Sequence, residues 1–280
     1  MGFPATAAAT RLLAAAALLL GVAGCAARSR LAELPAGWSR GSAQVGERTV
    51  SWVVAGREPG PGTPTLLFIH GSPGSWRAWR GYLADPGLAA RAHLVAVDRP
   101  GFGASGRGRF EPSLERQAAA AAAPLLARPG GPTLVVGHSF GGPVAARLAV
   151  DRPDLVDGLL LIAPSLDPDL EEVRWYQRLA QALPFLVPRD LRTANREILP
   201  LAGELEALAV RMPEIRQPVT VLQGLEDRLV PPGNADFAER TLTGAPLEVQ
   251  RLPGVDHFIP WRRAELVRTA VESWLAGLDG

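Results

Sequence analysis

The sequence has no lysine and only one cysteine, and it is close to electrically neutral. All 29 of its basic residues are arginine, and 28 acidic residues leave a formal net charge of +1 over 280 residues. Because Cys25 is the only cysteine, the chain can form neither an intramolecular disulfide nor a cysteine-based metal cluster. No basic run and no cluster of stacking aromatic residues indicates nucleic-acid binding. We therefore expect no metal, no other cofactor and no nucleic-acid partner.

The first 24 residues have the pattern of an export signal. Arg11 is followed by an apolar run over residues 12–20 and then by Val22-Ala23-Gly24-Cys25. The run is too short to span a membrane comfortably, and small residues follow it, which predicts a cleaved signal peptide over residues 1–24. The last four residues resemble a bacterial lipobox, so we expect lipidation of Cys25 and anchoring in the bacterial cell envelope. An ordinary signal peptide with an incidental cysteine is the alternative.

The rest of the chain divides into a tether and one folded domain. Residues 25–47, rich in alanine, arginine, glycine and serine, are interpreted as the tether, and residues 48–280 as the domain. Short apolar runs such as residues 133–136 alternate with helical stretches, which predicts an α/β fold with a mostly parallel central sheet and helices on both faces. Residues 167–214 interrupt this alternation, and we expect them to form a short helical lid inserted before the next core strand.

The spacing of the glycines in the pentapeptide G-H-S-F-G at residues 137–141 has a steric explanation. It lies between an apolar strand and a helix-like stretch, so Ser139 falls on the connecting turn. Glycines two positions before and two after the serine remove side chains that would collide across a sharp turn. A serine held there stands clear of the backbone, as a nucleophile must.

Three further segments support this interpretation by their order. The segment H-G-S-P-G at residues 70–74 follows an apolar run and can present the backbone N–H of Ser72 to an oxyanion. Asp227 follows a second apolar run, and His257 lies in a short loop near the end of the chain. A serine, an aspartate and a histidine in this order are typical of one class of serine hydrolase.

Five ordered motifs together resemble the α/β-hydrolase superfamily, over roughly residues 48–280. The resemblance implies Ser139 as the nucleophile, His257 as the general base, Asp227 as its acid, and the backbone N–H groups of Ser72 and Phe140 as the oxyanion hole. A serine at the nucleophile position argues against epoxide hydrolases and haloalkane dehalogenases, whose pattern has aspartate there. The motifs are H-G-S-P-G (70–74), D-R-P-G-F-G-A-S (98–105), G-H-S-F-G-G (137–142), G-x-x-D-x-x-V-P (224–231) and G-x-D-H (254–257).

The sequence offers more than one aspartate for the acid and more than one histidine near the motifs. Asp167 is the main rival to Asp227 for the acid, whereas Asp256 adjoins the histidine too closely to face it. His70 and His138 lie at motif turns and are expected to bond the loops behind the site.

Four apolar residues of the insertion are candidates for an acyl pocket. The alternative is that they only pack the insertion onto the core. They are Trp175, Tyr176, Phe185 and Leu186.

The favoured function is a membrane-tethered serine hydrolase that acts on small-molecule carboxylic esters through an acyl-enzyme intermediate. Within the same fold, a C–C bond hydrolase, a cofactor-free perhydrolase and an aminopeptidase remain alternatives, because this fold supports many chemistries. A non-catalytic binding lipoprotein is the alternative from another class. The sequence does not indicate an oligomeric state.

Overall fold

One eight-stranded sheet organises the computed structural model, which describes residues 34–173 and 175–278, without the side chain of Tyr176. The strand order is β1-β2-β4-β3-β5-β6-β7-β8. β2 pairs antiparallel with β1 and β4, and all other neighbours are parallel. The strands are β1 (Ser39–Val45), β2 (Arg48–Gly56), β3 (Thr65–Ile69), β4 (His93–Asp98), β5 (Thr133–His138), β6 (Gly158–Ile162), β7 (Val219–Gly224) and β8 (Leu247–Leu252). The predicted mostly parallel sheet is confirmed.

The central strands form because their continuous apolar runs are covered on both faces of the sheet. In β3, Leu66, Leu67, Phe68 and Ile69 are all 0% exposed. Leu67 and Ile69 belong to the core cluster that includes two long helices, whereas Phe68 packs its ring against Trp79 on the other face. A strand that is apolar without alternation is stable only in such a position.

Helices surround this sheet. They are α1 (Arg80–Leu83), α2 (Pro86–Arg91), α3 (Leu114–Ala127), α4 (Gly141–Asp151), α5 (Trp175–Ala182), α6 (Arg189–Ile198), α7 (Leu201–Ala209), α8 (Gly233–Thr241), α9 (Ile259–Arg262) and α10 (Ala264–Gly277). Ser113 caps α3 by accepting a hydrogen bond from the backbone N–H of Arg116. Short 3₁₀ turns add Trp76–Trp79, Pro153–Leu155, Pro168–Leu170, Pro184–Leu186 and Met212–Glu214.

The tether prediction for residues 25–47 is wrong over its last part, because residues 39–45 form strand β1. Gly46 and Glu47 make a two-residue turn between β1 and β2, and Gly46 has a φ of 56°, which suits glycine. Gly41 lies opposite Trp52, and a Cβ at Gly41 would fall 2.3 Å from the indole nitrogen. The predicted signal peptide and Cys25 lie outside the described residues.

A helical insertion separates β6 from β7. Its second half is anchored: α6 buries Thr193, Ala194 and Glu197, and α7 buries its leucines in the core. Its first half, from α5 to the 3₁₀ turn Pro184–Leu186, leaves large apolar side chains exposed. Within the described residues, no helix is long and apolar enough to cross a membrane.

Candidate active site

Ser139 lies on a sharp turn between β5 and α4. Its φ is 54°, in the left-handed region that a residue with a side chain rarely adopts. The turn is held from both sides: the Ser139 N–H donates to the Ile162 carbonyl at 2.9 Å, and the Ser139 carbonyl accepts from the Gly142 N–H at 2.8 Å. Such strained residues cluster at functional sites, where the surrounding structure keeps them in place.

The two flanking glycines are required by close backbone contacts. A Cβ at Gly137 would fall 2.4 Å from the Gly141 carbonyl oxygen, and a Cβ at Gly141 would fall 2.3 Å from the Ile69 carbonyl oxygen. Any side chain at either position would push the turn away from its neighbouring strand. The same packing brings the first turn of α4 against the end of β3.

His257 and Asp227 form a buried pair. The His257 Nδ1 donates to Asp227 Oδ2 at 2.7 Å, and the histidine and aspartate are 6% and 5% exposed. The other carboxylate oxygen, Oδ1, accepts from the backbone N–H groups of Leu229 and Val230 at 2.8 and 2.9 Å. With Nδ1 protonated, the Nε2 of His257 has its lone pair free to act as a base.

The loops that carry these two residues are bonded to each other. The Leu225 N–H donates to the Leu252 carbonyl, and the Glu226 N–H donates to the Val255 carbonyl. A Cβ at Gly224 would fall 2.4 Å from the Val255 carbonyl oxygen, so glycine permits this approach. The relative position of the acid and the histidine therefore depends on the backbone as well as on their own side chains.

His138 connects the serine turn to His257. Its Nε2 donates to the His257 carbonyl at 3.1 Å, and the two rings pack with centroids 4.7 Å apart. Among the described residues, no hydrogen bond joins the Ser139 hydroxyl to His257. Bonds of this kind are often long until a substrate binds. Sequence and packing nonetheless bring Ser139, His257 and Asp227 to one region of the sheet edge.

The loop after β3 passes directly beside Ser139. A Cβ at Gly71 would fall 2.9 Å from the Ser139 Cβ, so the Gly71–Ser72 backbone lies against the nucleophile candidate. Phe140 follows Ser139 at the start of α4 and is 2% exposed. The Ser72 Oγ is buried without a hydrogen-bond partner among the described residues. The Gly71–Ser72 backbone and Phe140, which are predicted to supply the oxyanion donors, thus both adjoin Ser139.

The two motif histidines bond loops, as expected from their positions. Burial lowers the pKa of His70 and of His138 well below the usual histidine value, so both are neutral near pH 7. The His70 Nδ1 donates to the Gly71 carbonyl at 2.7 Å, while its Nε2 accepts from the Arg99 N–H at 3.0 Å. Among the described residues, no carboxylate is bonded to either ring, which distinguishes both from His257.

The rival acids have other partners. Asp167 Oδ1 accepts from the backbone N–H of Asp169, and Oδ2 is 3.4 Å from an Arg240 nitrogen. Asp256 accepts from the Phe258 N–H and pairs with an arginine. Among the aspartates considered from the sequence, Asp227 is the one bonded to His257.

Three of the four proposed pocket residues are largely exposed. Trp175, Phe185 and Leu186 are 63%, 76% and 69% exposed, and the side chain of Tyr176 is not described. Within the part of the chain that the structure describes, these three apolar side chains are therefore mostly exposed. Leu225 and Leu229, which flank Asp227, and Trp261, whose ring lies 5.2 Å from that of His138, are also partly exposed. These three apolar side chains therefore border the site, together with the exposed Glu226 and Arg228.

Sequence reasoning missed the role of Glu197. This residue is 0% exposed and forms a buried ion pair with Arg99, although it lies in the insertion. The available signal was helical spacing, because Thr193, Ala194 and Glu197 share one face of α6. No group of histidine, cysteine and carboxylate side chains suited to a metal ion occurs within the described residues.

Sequence comparisons agree with the architecture. A family profile described as alpha/beta hydrolase fold matches residues 64–197. The chain is 30% identical over 290 residues to the magnesium-chelatase 30 kDa subunit of Rhodobacter capsulatus, covering 87% of this chain and 98% of that protein. It is 36% identical over 118 residues to the lipase LipV of Mycobacterium tuberculosis, covering 41% of this chain and 43% of the lipase.

Solved structures show the same fold at lower identity. Est816, described as an N-acyl homoserine lactone degrading enzyme, aligns with a TM-score of 0.68 at 19% identity, over 83% of this chain and 99% of that one. A membrane phospholipase A, described as a bacterial virulence factor, aligns with a TM-score of 0.63 at 22% identity, over 97% of this chain and 99% of that one. The chain belongs to the α/β-hydrolase family and is an enzyme of the hydrolase type.

Proposed function

We propose that this protein is a serine hydrolase that cleaves carboxylic esters with Ser139, His257 and Asp227. The observation that carries the proposal is the 2.7 Å bond from His257 Nδ1 to Asp227 Oδ2, beside a serine held at a φ of 54°. The buried aspartate fixes the tautomer of the imidazole and stabilises its protonated form. A binding protein has no need of this combination.

In the proposed reaction, the Ser139 Oγ attacks the carbonyl carbon of the ester while His257 Nε2 accepts the hydroxyl proton. The carbonyl oxygen becomes an oxyanion and accepts hydrogen bonds from the backbone N–H groups of Ser72 and Phe140. Collapse of this intermediate breaks the ester C–O bond, and His257 returns the proton to the leaving alcohol. Water then repeats the sequence on the acyl-enzyme, releasing the acid and restoring the serine.

Substitution of the nucleophile tests this mechanism. Ser139→Ala should lower kcat for p-nitrophenyl acetate by at least about 10⁴-fold, since the hydroxyl forms the covalent intermediate. Ser273→Ala changes an exposed serine of α10 and should leave kcat within about twofold. Turnover of Ser139→Ala near the wild-type rate would exclude Ser139 as the nucleophile.

We propose a compact ester with an apolar acyl or alkyl group as the substrate class. The partly exposed Leu225, Leu229 and Trp261 at the rim support an apolar group there. Each buried CH₂ adds up to about 0.8 kcal/mol of binding free energy until the available surface is covered. We expect kcat/KM to rise and then fall along a series of p-nitrophenyl esters. Amides, lactones and a C–C substrate complete the panel, and preference for one of them would redirect the assignment.

We also propose that Cys25 carries a lipid anchor that holds the enzyme in the bacterial cell envelope. The lipobox-like sequence before Cys25 supports this, since several acyl chains on one residue give stable membrane attachment. Cys25→Ser should move the protein from the membrane fraction to the soluble fraction. Retention of residues 1–24 in membrane-extracted protein would contradict this proposal.

A second candidate follows from the near full-length similarity to a magnesium-chelatase subunit. In that case, the chain would act as a subunit of a larger assembly rather than as an ester hydrolase. Size-exclusion chromatography with the other chelatase subunits, alongside ester turnover, separates the two candidates. Ester turnover that depends on Ser139, without complex formation, favours the hydrolase.

A further inference from the structure

The side chain of Arg99 is buried and uses all five of its N–H groups. Its Nε donates to the His70 carbonyl at 2.8 Å, and Nη1 donates to Gln117 Oε1 at 2.5 Å and to Glu197 Oε2 at 3.0 Å. Nη2 donates to the Gly71 carbonyl at 3.1 Å and to Glu197 Oε1 at 2.8 Å. Only arginine can form such a planar, five-donor fork.

Two of these bonds end on the loop that carries Ser72. The Gly71 carbonyl belongs to the same peptide unit as the Ser72 N–H, and in a trans peptide these two groups point in opposite directions. Arg99 Nη2 and His70 Nδ1 both donate to that carbonyl. Holding the carbonyl from one side therefore sets the direction in which the Ser72 N–H points. It also polarises the peptide, which strengthens the N–H as a donor.

The same guanidinium borders the second predicted oxyanion donor. Its central carbon lies 4.5 Å from the centroid of the Phe140 ring and 5.1 Å from that of Phe102. A cation over an aromatic face at this distance is an attractive contact. Arg99 is thus in contact with both Phe140 and the loop of Ser72.

Glu197, a residue of the insertion, neutralises the charge of Arg99. Glu197 lies in α6, both side chains of the ion pair are 0% exposed, and Gln117 Nε2 donates to Glu197 Oε2 at 3.1 Å. A buried cation without a partner is costly, so Arg99 keeps this position only while Glu197 is packed beside it. The insertion is in this way linked to the loop that carries Ser72.

We propose that Arg99 is a positioning residue for the oxyanion hole and that Glu197 makes this positioning depend on the packing of the insertion. The proposal rests on the proposed ester hydrolysis at Ser139. It assigns the second half of the insertion a part in transition-state stabilisation, in addition to any role in covering the site.

A second ion pair, which also involves a residue of α6, serves as the control. Asp190, near the start of α6, receives two hydrogen bonds of 2.7 Å from Arg107, so this pair is also bidentate and joins the insertion to the loop after β4. The side chains of Arg107 and Asp190 are 37% and 23% exposed. Neither residue contacts the loop of Ser72 in the bonds described above. Asp190→Asn therefore tests the general effect of loosening α6.

The experiment compares Arg99→Lys and Glu197→Gln with wild type and with Asp190→Asn. For p-nitrophenyl acetate, we expect both buried variants to lower kcat about 10- to 100-fold with KM within about threefold, because a misdirected N–H weakens the transition state more than the ground state. The affinity for a trifluoromethyl ketone, which forms a tetrahedral oxyanion on the serine, should fall by the same factor. Asp190→Asn should change neither by more than about twofold.

A double variant tests the proposal even if a single substitution of the buried pair prevents folding. Replacing both partners by apolar residues, as Arg99→Met with Glu197→Leu, removes the buried charges together, which is often neutral for stability. We expect this double variant to keep a cooperative thermal transition and still lose kcat. Wild-type kcat and ketone affinity in the folded double variant, or equal losses in Asp190→Asn, would overturn the proposal. If wild type itself shows no ester turnover, the proposed function fails instead.

Discussion

Asp167 and Asp227 occupy similar places at the sheet edge but have different partners. Each follows the carboxyl end of one of two neighbouring parallel strands, β6 and β7, and each is nearly buried, at 7% and 5% exposed. In both, one carboxylate oxygen accepts backbone N–H groups of its own loop. The difference is the other oxygen. In Asp227 it accepts from His257 at 2.7 Å, and in Asp167 it lies 3.4 Å from Arg240, whose side chain is 62% exposed.

This difference shows that position at a strand end does not by itself select the acid. Both loops place a carboxylate on the correct edge, and each uses one oxygen to stabilise its own turn. What separates them is the histidine loop, which is bonded by its backbone to the loop of Asp227. The catalytic role assigned to Asp227 therefore depends on a contact between two loops.

Of the aspartate substitutions, Asp227→Asn should have the largest effect on kcat. An amide in place of the carboxylate favours the wrong imidazole tautomer and leaves the protonated histidine unstabilised, so we expect kcat to fall by roughly 10⁴-fold. Thermal unfolding should remain cooperative, since Asn can still accept from the loop N–H groups. The measurement is single-turnover acylation with p-nitrophenyl acetate. A loss smaller than that of Asp167→Asn would reverse the assignment of the acid.

Asp98 is a third aspartate at a strand end, and it differs from the other two in its raised pKa. Its carboxylate accepts from the backbone N–H groups of Trp76 and Ala104, yet burial raises its pKa from 3.8 to about 6. These two N–H groups, and the charges of Arg40 and Arg77, lower the pKa by less than burial raises it. The folded protein therefore binds more protons than the unfolded chain between about pH 4 and pH 6.

The raised pKa of Asp98 fixes the direction in which stability changes with pH. The stability contributed by Asp98 is fully present below about pH 4 and is lost as pH rises through about 6, a change of about 3 kcal/mol. Asp98→Asn cannot titrate and lacks this change. Urea unfolding at pH 4 to 7 should show the stability of wild type relative to Asp98→Asn falling as pH rises. A difference that stays constant or grows with pH would contradict this account.

Asp167→Asn should have the smallest effect. Asparagine can still accept from the Asp169 N–H, and the long contact to an exposed arginine contributes little. We expect kcat within about twofold of wild type and a change in unfolding free energy of at most about 1 kcal/mol. Steady-state kinetics and urea unfolding on the same preparation provide both values.

The sequence predicts much of this structure where local chemistry decides it. The strands β3 and β5 follow from unbroken apolar runs, and the turn at Ser139 follows from glycines that the backbone contacts require. The edge strand β1 falls within residues 25–47, whose content of alanine, arginine, glycine and serine favours a tether. Its glycine turn and its pairing with β2 were the missed signals.

Other features depend on contacts that no local pattern contains. Helical spacing places Glu197 on one face of α6 with Thr193 and Ala194, but its partner Arg99, nearly a hundred positions earlier, is shown only by the structure. The exposure of Phe185 and Leu186 depends in the same way on the absence of a covering layer over their segment in the described structure. Aromatic and apolar composition alone favoured a pocket there.

Covalent labelling of Ser139 shows whether this serine is the nucleophile. Folded wild-type protein is treated with a fluorophosphonate, and intact mass and peptide mapping locate the adduct. We predict one phosphonyl group per chain, bonded to the Ser139 Oγ, with none on Ser139→Ala and a strongly slowed reaction in Asp227→Asn. No adduct on folded wild-type protein, or equal modification of Ser139→Ala, would contradict the account.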